Sequence, residues 1–185
     1  MHLSEKDFKI AGFLNTVLLG IATVLWCFTF KEATNAILTV FGIVYILTVI
    51  AAFVYTFAGY KKKSAVFYKT FMLLYGVFTL LQAAIGVTKI IEGVDGNYKL
   101  VMLFSVIGLM AIYLAFVKNF GEVNSKIAVL IILFLQVMAS LALAATYSFD
   151  FRSSVAAFMH IVLSCTASVF ILMKYRDKEK RNAKE

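Results

Sequence analysis

Residues 33–60, ATNAILTVFGIVYILTVIAAFVYTFAGY, decide the fold, because 28 consecutive positions there carry no Asp, Glu, Lys or Arg. An α-helix rises about 1.5 Å per residue, so about 20 apolar residues cross the hydrocarbon core of a bilayer. A helix on the surface of a soluble domain would show a polar face in such a stretch. Lipid offers no hydrogen bonds to the backbone, so a segment that crosses it must be helical. This stretch therefore predicts a transmembrane helix.

Five more uncharged blocks of similar length occur in the chain, at 10–30, 70–88, 100–117, 127–149 and 153–173. Hydrophobic residues make up 62% of the chain and charged residues 15%, against about 45–50% and about 25% in soluble domains. We therefore predict an all-α, polytopic membrane protein, a bundle of six transmembrane helices in three hairpins. The predicted spans are 10–30, 34–59, 66–89, 99–117, 127–148 and 153–174.

Short connections leave no room for a separate soluble domain. We expect residues 1–175 to form a single transmembrane domain and 176–185 to form a basic cytoplasmic tail. The first block exceeds the apolar core of a signal peptide, which has about 7–15 residues. It is therefore expected to be a permanent span.

Basic residues alternate between the two sides of the predicted bundle. The two terminal segments and the connections at 61–69 and 118–126 contain 14 of the 18 Lys and Arg residues, with six acidic residues. The other three connections contain four basic and four acidic residues. The positive-inside rule predicts that both termini are cytoplasmic. We expect the protein to lie in the cell membrane. The net charge of +8 follows from this topology, and we predict no nucleic-acid partner.

The connection after the second span contains Lys61, Lys62 and Lys63. Clusters of Lys beside a membrane attract anionic lipid. These residues are candidates for contact with lipid or with a partner protein, and the alternative is that they only determine topology.

Polar side chains recur at helical spacing inside the spans, where burial in lipid would be costly. On the third span, steps of three and four place Tyr68, Met72, Tyr75, Thr79, Gln82, Gly86 and Lys89 on one face, which we expect to point into the bundle. Similar spacing relates Gln136 to Ser140, and His160 to Ser164. We predict a small polar pocket for a neutral or zwitterionic molecule, with the candidate residues Tyr75, Thr79, Gln82, Gln136, Ser140, His160 and Ser164. The alternative is interhelical hydrogen bonding, worth ~0.6–2 kcal/mol per contact.

Small residues form a row on the first span, at Gly12, Thr16, Gly20 and Thr23. Such a row permits close helix packing, within this bundle or at a subunit interface. Gly42, Gly76 and Gly108, near the centres of other spans, also allow helices to approach closely.

Catalytic parts are almost absent from the uncharged blocks, which hold one His and no acidic or basic residue. Zinc needs three or four ligands, and no Cys or acidic cluster accompanies His160. We therefore expect no enzyme, no metal and no cofactor. The remaining classes are a small-solute binding or permeation subunit without its own energy source, and a non-transporting scaffold, stress or regulatory subunit of a partner complex.

In size and helix count the chain is similar to the substrate-binding subunits of energy-coupling-factor vitamin transporters. That resemblance implies a solute-binding subunit energised by partners, although the alanine-rich coupling motif is not evident on the first span. The glycine-punctuated, three-hairpin layout resembles six-helix stress proteins of the acid-resistance type, which implies the second class. No residues are carried over from either family.

Overall fold

The computed structural model describes residues 5–30, 36–59, 65–93, 97–117 and 121–182. These form six helices: α1 (Glu5–Phe30), α2 (Ala36–Val54, continued by a π-helical turn at Tyr55–Gly59), α3 (Ala65–Ile91), α4 (Tyr98–Phe116), α5 (Glu122–Thr146) and α6 (Phe151–Asn182). The predicted cluster at Lys61, Lys62 and Lys63 lies outside the described residues.

All six helices are long and apolar enough to span a membrane, which confirms the prediction of a multi-pass, all-helical protein. The apolar segments are Ile10–Thr29, Ala36–Phe57, Ala65–Ile91, Tyr98–Phe116, Val123–Thr146 and Phe151–Lys174. Their ends differ from the predicted spans by a few residues. The last helix continues beyond the predicted boundary at 175 to Asn182, so part of the expected tail is helical.

Neighbours in the chain are neighbours in the bundle, and the ring closes where α6 packs against α1. The most extensive contact joins α3 to α4, and α5 packs extensively on α6. By contrast, α1 makes few contacts with α2 and packs mainly on α6. The first predicted hairpin is therefore not a closely packed pair. Two helices from opposite sides of the ring, α3 and α6, also touch.

Aliphatic and aromatic side chains cover the outside of the ring. Phe13, Val24 and Phe28 on α1, for example, are each more than half exposed. In water this surface would be unfavourable, because exposed apolar area costs about 25 cal/mol per Å². In a bilayer the same surface contacts lipid.

Aromatic side chains fill much of the interior. Phe41 of α2 stacks on Phe78 of α3 with ring centroids 4.5 Å apart. Phe170 of α6 meets Tyr55 edge-on at 4.4 Å and Phe71 at 4.8 Å. Such tilted and offset arrangements are the favoured geometry of aromatic pairs. They join α2, α3 and α6 through the middle of the bundle.

Gly76 of α3 and Gly108 of α4 allow these two helices to meet backbone to backbone. A Cβ atom at Gly76 would lie 2.9 Å from the carbonyl oxygen of Gly108, and a Cβ at Gly108 would lie 2.9 Å from that of Gly76. The expectation of close contact is confirmed for this pair. At Gly20 a Cβ would meet nothing within 4 Å, so no such contact exists there among the described residues.

Two ends of the bundle can be distinguished. At the tail end, α6 continues to Asn182, and the Lys174 ammonium donates to the carbonyl of Val117 at 3.2 Å, just beyond the last turn of α4. A cation there complements the negative end of the helix dipole. The opposite end is called the cleft end, because the cleft described in the next section opens there. At this end, Asp150 caps α6 by accepting a hydrogen bond from the Ser153 N–H at 2.7 Å. The connection before Asp150 places Ser148 and Phe149 at φ 52° and 54°, which is uncommon for residues other than glycine.

Candidate binding cleft

The predicted polar cluster divides into two separate groups of residues. In the first group, the Tyr75 hydroxyl of α3 donates to Gln136 Oε1 of α5 at 2.9 Å. Gln136 Nε2 then donates to Ser140 Oγ at 3.3 Å. All three side chains are fully buried. They form an interhelical hydrogen-bond network, and none of them lines the cleft described below.

Two further candidates bond to their own helices. Thr79 Oγ1 donates to the carbonyl of Tyr75 at 2.8 Å, and Ser164 Oγ donates to that of Ile161 at 2.8 Å. Both side chains are buried. Each hydroxyl is therefore satisfied by a carbonyl of its own helix. Neither residue lines the cleft described below.

The second group is centred on His160, which is fully buried on α6. Its ring lies between Phe78, at 4.6 Å, and Phe104, at 4.7 Å between centroids. Its Nε2 atom lies 3.5 Å from Oε1 of Gln82. Since a carboxamide oxygen only accepts, a hydrogen bond here requires the ring proton on Nε2. Nδ1 then has no hydrogen-bond partner among the described residues.

Gln82 connects this buried ring to a cleft of about 410 Å³ at the cleft end. Five helices contribute to the cleft, and α4 does not. Its walls and floor are mainly apolar: Trp26, Ile37, Leu38, Phe41, Ile85, Leu143, Ala156 and Met159. Its polar lining consists of Thr29, Gln82, Thr88, Lys89, Glu92, Tyr147, Asp150, Arg152 and Ser153. Of the seven predicted pocket residues, Gln82 lines this cleft and the other six do not.

Charges of both signs lie at the mouth of the cleft, where Lys89 and Arg152 accompany Glu92 and Asp150. The pKa of Asp150 is lowered by hydrogen bonds from the Ser153 hydroxyl and N–H, and by the positive charge of Lys89. Its carboxylate is therefore ionised at neutral pH. Among the described residues that line the mouth, two cationic and two anionic side chains have formal charges that cancel.

Lys89 is fixed by Tyr147 across the gap between α3 and α5. Its ammonium donates to the Tyr147 hydroxyl at 2.8 Å and lies 4.0 Å from the centroid of the same ring. Both residues also line a second cavity of about 40 Å³, which extends to Phe104 beside His160. The Lys89–Tyr147 contact thus lies between the cleft and this smaller cavity.

The small-residue row on α1 packs within the bundle at two of its four positions. A Cβ at Gly12 would lie 3.4 Å from Thr56, and Thr23 Oγ1 lies 3.3 Å from the Tyr45 hydroxyl. Thr16 bonds to the carbonyl of Gly12 in its own helix. The row contacts α2 near the middle of that helix, at Tyr45, and the π-helical turn that follows it, at Thr56.

Sequence reasoning did not identify most of the cleft. Trp26 and Phe41 were indistinguishable from other apolar residues of their spans, and Asp150 and Arg152 were counted only as loop charges. The available signal was the equal number of acids and bases at this end of the bundle. An equal balance is compatible with a neutral surface as well as with a binding site.

No family model, no curated protein sequence and no solved structure matches this chain. The resemblances in size, helix count and layout therefore remain resemblances. The chain is a multi-pass, all-helical membrane protein whose candidate site is the cleft at one end of its bundle.

Proposed function

We propose that this protein is a binding subunit for a small solute, with its cleft on the outer face of the cell membrane and both termini in the cytoplasm. The observation that carries the proposal is the cleft itself. Its volume of about 410 Å³ falls in the range of about 300–1,000 Å³ for small-molecule sites. The apolar residues of its walls and floor are also of the kind that usually line such sites.

The proposed orientation rests on charge. The basic residues concentrate at the tail end, in the termini and in the connections around 61–69 and 118–126. The positive-inside rule places that end in the cytoplasm, so the cleft opens on the other side. A solute would then enter from outside the cell.

The packed interior favours binding over permeation. Tyr75, Gln136 and Ser140 satisfy one another below the cleft and are fully buried. Any movement of a solute across the membrane would require these helices to rearrange. We propose that the energy for such a step comes from a partner, and that the protein is not an enzyme.

A second function, a scaffold in a partner complex, is favoured by a different observation. Helix α1 is the least buried of the six spans, and Gly20 has open space where a side chain would be. A partner helix packing there would contact α1 around Gly20, since Gly12 and Thr23 already pack within the bundle. The solute-binding proposal does not require this contact.

Native mass spectrometry of the protein, purified in its native lipids, tests the proposal. Ala156 lines the cleft, whereas Ala84 of α3 is exposed on the outside of the bundle. We expect the wild type and Ala84→Phe to carry a co-purified small molecule. Ala156→Phe fills the cleft and is expected to lose it. A wild type that carries no small molecule, or an Ala156→Phe variant that retains it, would contradict the proposal.

A further inference from the structure

We propose that the solute is a zwitterion with an apolar group, bound with its charged end at the mouth of the cleft and its apolar end on the floor. This inference rests on the proposed function and specifies its ligand class. It follows from the placement of unlike charges at one end of the cleft and of apolar side chains at the other.

Two opposite charges at the mouth are near each other but are not paired. The Lys89 ammonium is directed to the hydroxyl of Tyr147, and the Asp150 carboxylate accepts from the Ser153 N–H. Lys89 is nevertheless close enough to stabilise the ionised carboxylate. Within the described part of the chain, no hydrogen bond joins Lys89 to Asp150. A ligand that carries both charges can bridge them.

A ligand with one charge fits this mouth less well. An anion would be attracted by Lys89 and Arg152 and repelled by Glu92 and Asp150. A cation would be attracted by these two acidic residues and repelled by the two basic ones. A zwitterion presents its anionic group to Lys89 and its cationic group to Asp150. Each charge-assisted hydrogen bond formed in this way strengthens binding, and both charged groups of the ligand have a partner of opposite charge.

The deeper part of the cleft suits an apolar group. Trp26 and Phe41 provide aromatic surfaces, and Leu143 and Met159 provide aliphatic ones. Gln82 adds one polar contact at the inner end: it lines the cleft, and its oxygen contacts His160. The Gln82 side chain lines the cleft, where its amide N–H groups are suited to donate to a ligand.

Two matched sets of probes test the charge requirement and distinguish a free solute from an amphiphile. The first set is tryptophan, tryptamine and indole-3-propionate, which share an indole ring but are zwitterionic, cationic and anionic. The second set is hexylphosphocholine, hexyltrimethylammonium and hexyl methyl phosphate, a phosphate diester with one negative charge. Binding is measured by titration calorimetry on the protein in phosphatidylglycerol nanodiscs, which contain no zwitterionic lipid.

We expect the zwitterion of at least one set to bind about tenfold more tightly than its two singly charged analogues, since one charged hydrogen bond is worth about that factor. Preference within the indole set identifies a free solute, and preference within the hexyl set identifies an amphiphile. The proposal is overturned if a singly charged analogue binds as tightly as its zwitterion in both sets, or if no zwitterion binds.

Three variants locate the effect. Lys89→Gln is expected to remove the advantage of the zwitterion over the cation, because the ligand's anionic group loses its partner. Asp150→Asn is expected to remove the advantage over the anion, and asparagine keeps the cap of α6. Lys99→Gln is the control, because Lys99 is exposed and does not line the cleft. Equal behaviour of all three variants would contradict the assignment.

The outcome can be separated from that of the proposed function. A co-purified molecule that is lost in Ala156→Phe but carries one charge or none would overturn the zwitterion assignment and leave the binding function intact. A cleft that carries no molecule and binds no probe would overturn both.

Discussion

At the residue scale, His160 is the least usual side chain of the bundle. It is fully buried, its ring packs between Phe78 and Phe104, and its Nδ1 atom has no partner within the described part of the chain. A buried polar atom without a partner costs about 1–3 kcal/mol. The ring therefore stabilises the fold mainly through its aromatic contacts.

Two substitutions at His160 separate ring packing from hydrogen bonding. His160→Ala is expected to lower the free energy of unfolding by about 3 kcal/mol, because it leaves a cavity between the aromatic rings. His160→Phe keeps a ring there and is expected to change it by less than about 1.5 kcal/mol. Unfolding of both variants in mixed detergent micelles is the measurement. Equal losses in the two variants would show that the imidazole nitrogens, and not the ring, stabilise this site.

Asp150 gives the protein a defined response to acid. Its pKa is lowered from the ordinary value of 3.8 by hydrogen bonds from Ser153 and by the charge of Lys89. A lowered folded-state pKa means that the carboxylate contributes stability above pH 3.8, which is lost as the pH falls through the folded-state value. The stability difference between wild type and Asp150→Asn should therefore be constant near neutral pH.

The difference in stability between the wild type and Asp150→Asn should shrink only below about pH 4. Thermal unfolding of the two proteins between pH 7 and pH 3 measures it. Because Asp150 is exposed, the change is expected to be small. A difference that already disappears between pH 6 and pH 5 would contradict the lowered pKa.

At the scale of elements, the contact of α3 with α4 depends on two glycines. A Cβ at Gly76 would lie 2.6 Å from Ile112 Cγ1 and one at Gly108 would lie 2.7 Å from Leu80 Cγ, in addition to the facing carbonyl oxygens. The helices must separate to accept an alanine at either position. Gly76→Ala and Gly108→Ala are each expected to destabilise the protein by about 1–3 kcal/mol.

Gly20→Ala is the matched control for these variants. Open space surrounds this position, and alanine favours a helix by up to about 1 kcal/mol. Its unfolding free energy should therefore be unchanged or slightly higher, as measured by the same unfolding experiment. If Gly20→Ala were as destabilising as Gly76→Ala, the cost would come from the loss of glycine itself and not from the α3–α4 contact.

The helices themselves were predictable from the sequence, and their neighbours were not. Uncharged blocks determine where a chain enters and leaves lipid, so the spans were predicted to within a few residues. The buried face of α3 was also predicted, since Tyr68, Met72, Tyr75 and Thr79 are all buried. Packing of α1 on α6 depends on side-chain fit between distant segments, which periodicity does not encode.

The candidate site could be predicted only in part, because helical spacing shows which side chains are buried and not which partners they contact. Burial of polar side chains follows from helical spacing, and Gln82 was placed correctly on an inward face. Whether a buried side chain is satisfied by a neighbour depends on rotamers and helix rotation. Gln136 bonds to Tyr75, whereas Gln82 reaches the cleft, and nothing in their spacing distinguishes the two.

At the scale of the whole molecule, the bundle has two unlike ends. Basic residues dominate the tail end, whereas acids and bases balance at the cleft end. Between these ends lies an interior filled by aromatic side chains and the Tyr75–Gln136–Ser140 network. We infer that the cleft receives its ligand from one side of the membrane, and that the charge at the tail end determines which side.

Cysteine labelling in intact cells tests this central claim most directly. In a background with Cys27→Ser and Cys165→Ala, one cysteine is placed at the cleft rim by Glu92→Cys, or near the tail end by Asn124→Cys, both exposed positions. A membrane-impermeant maleimide should label Glu92→Cys in intact cells and Asn124→Cys only after permeabilisation. Labelling of Asn124→Cys alone in intact cells, or of both variants equally, would contradict the account.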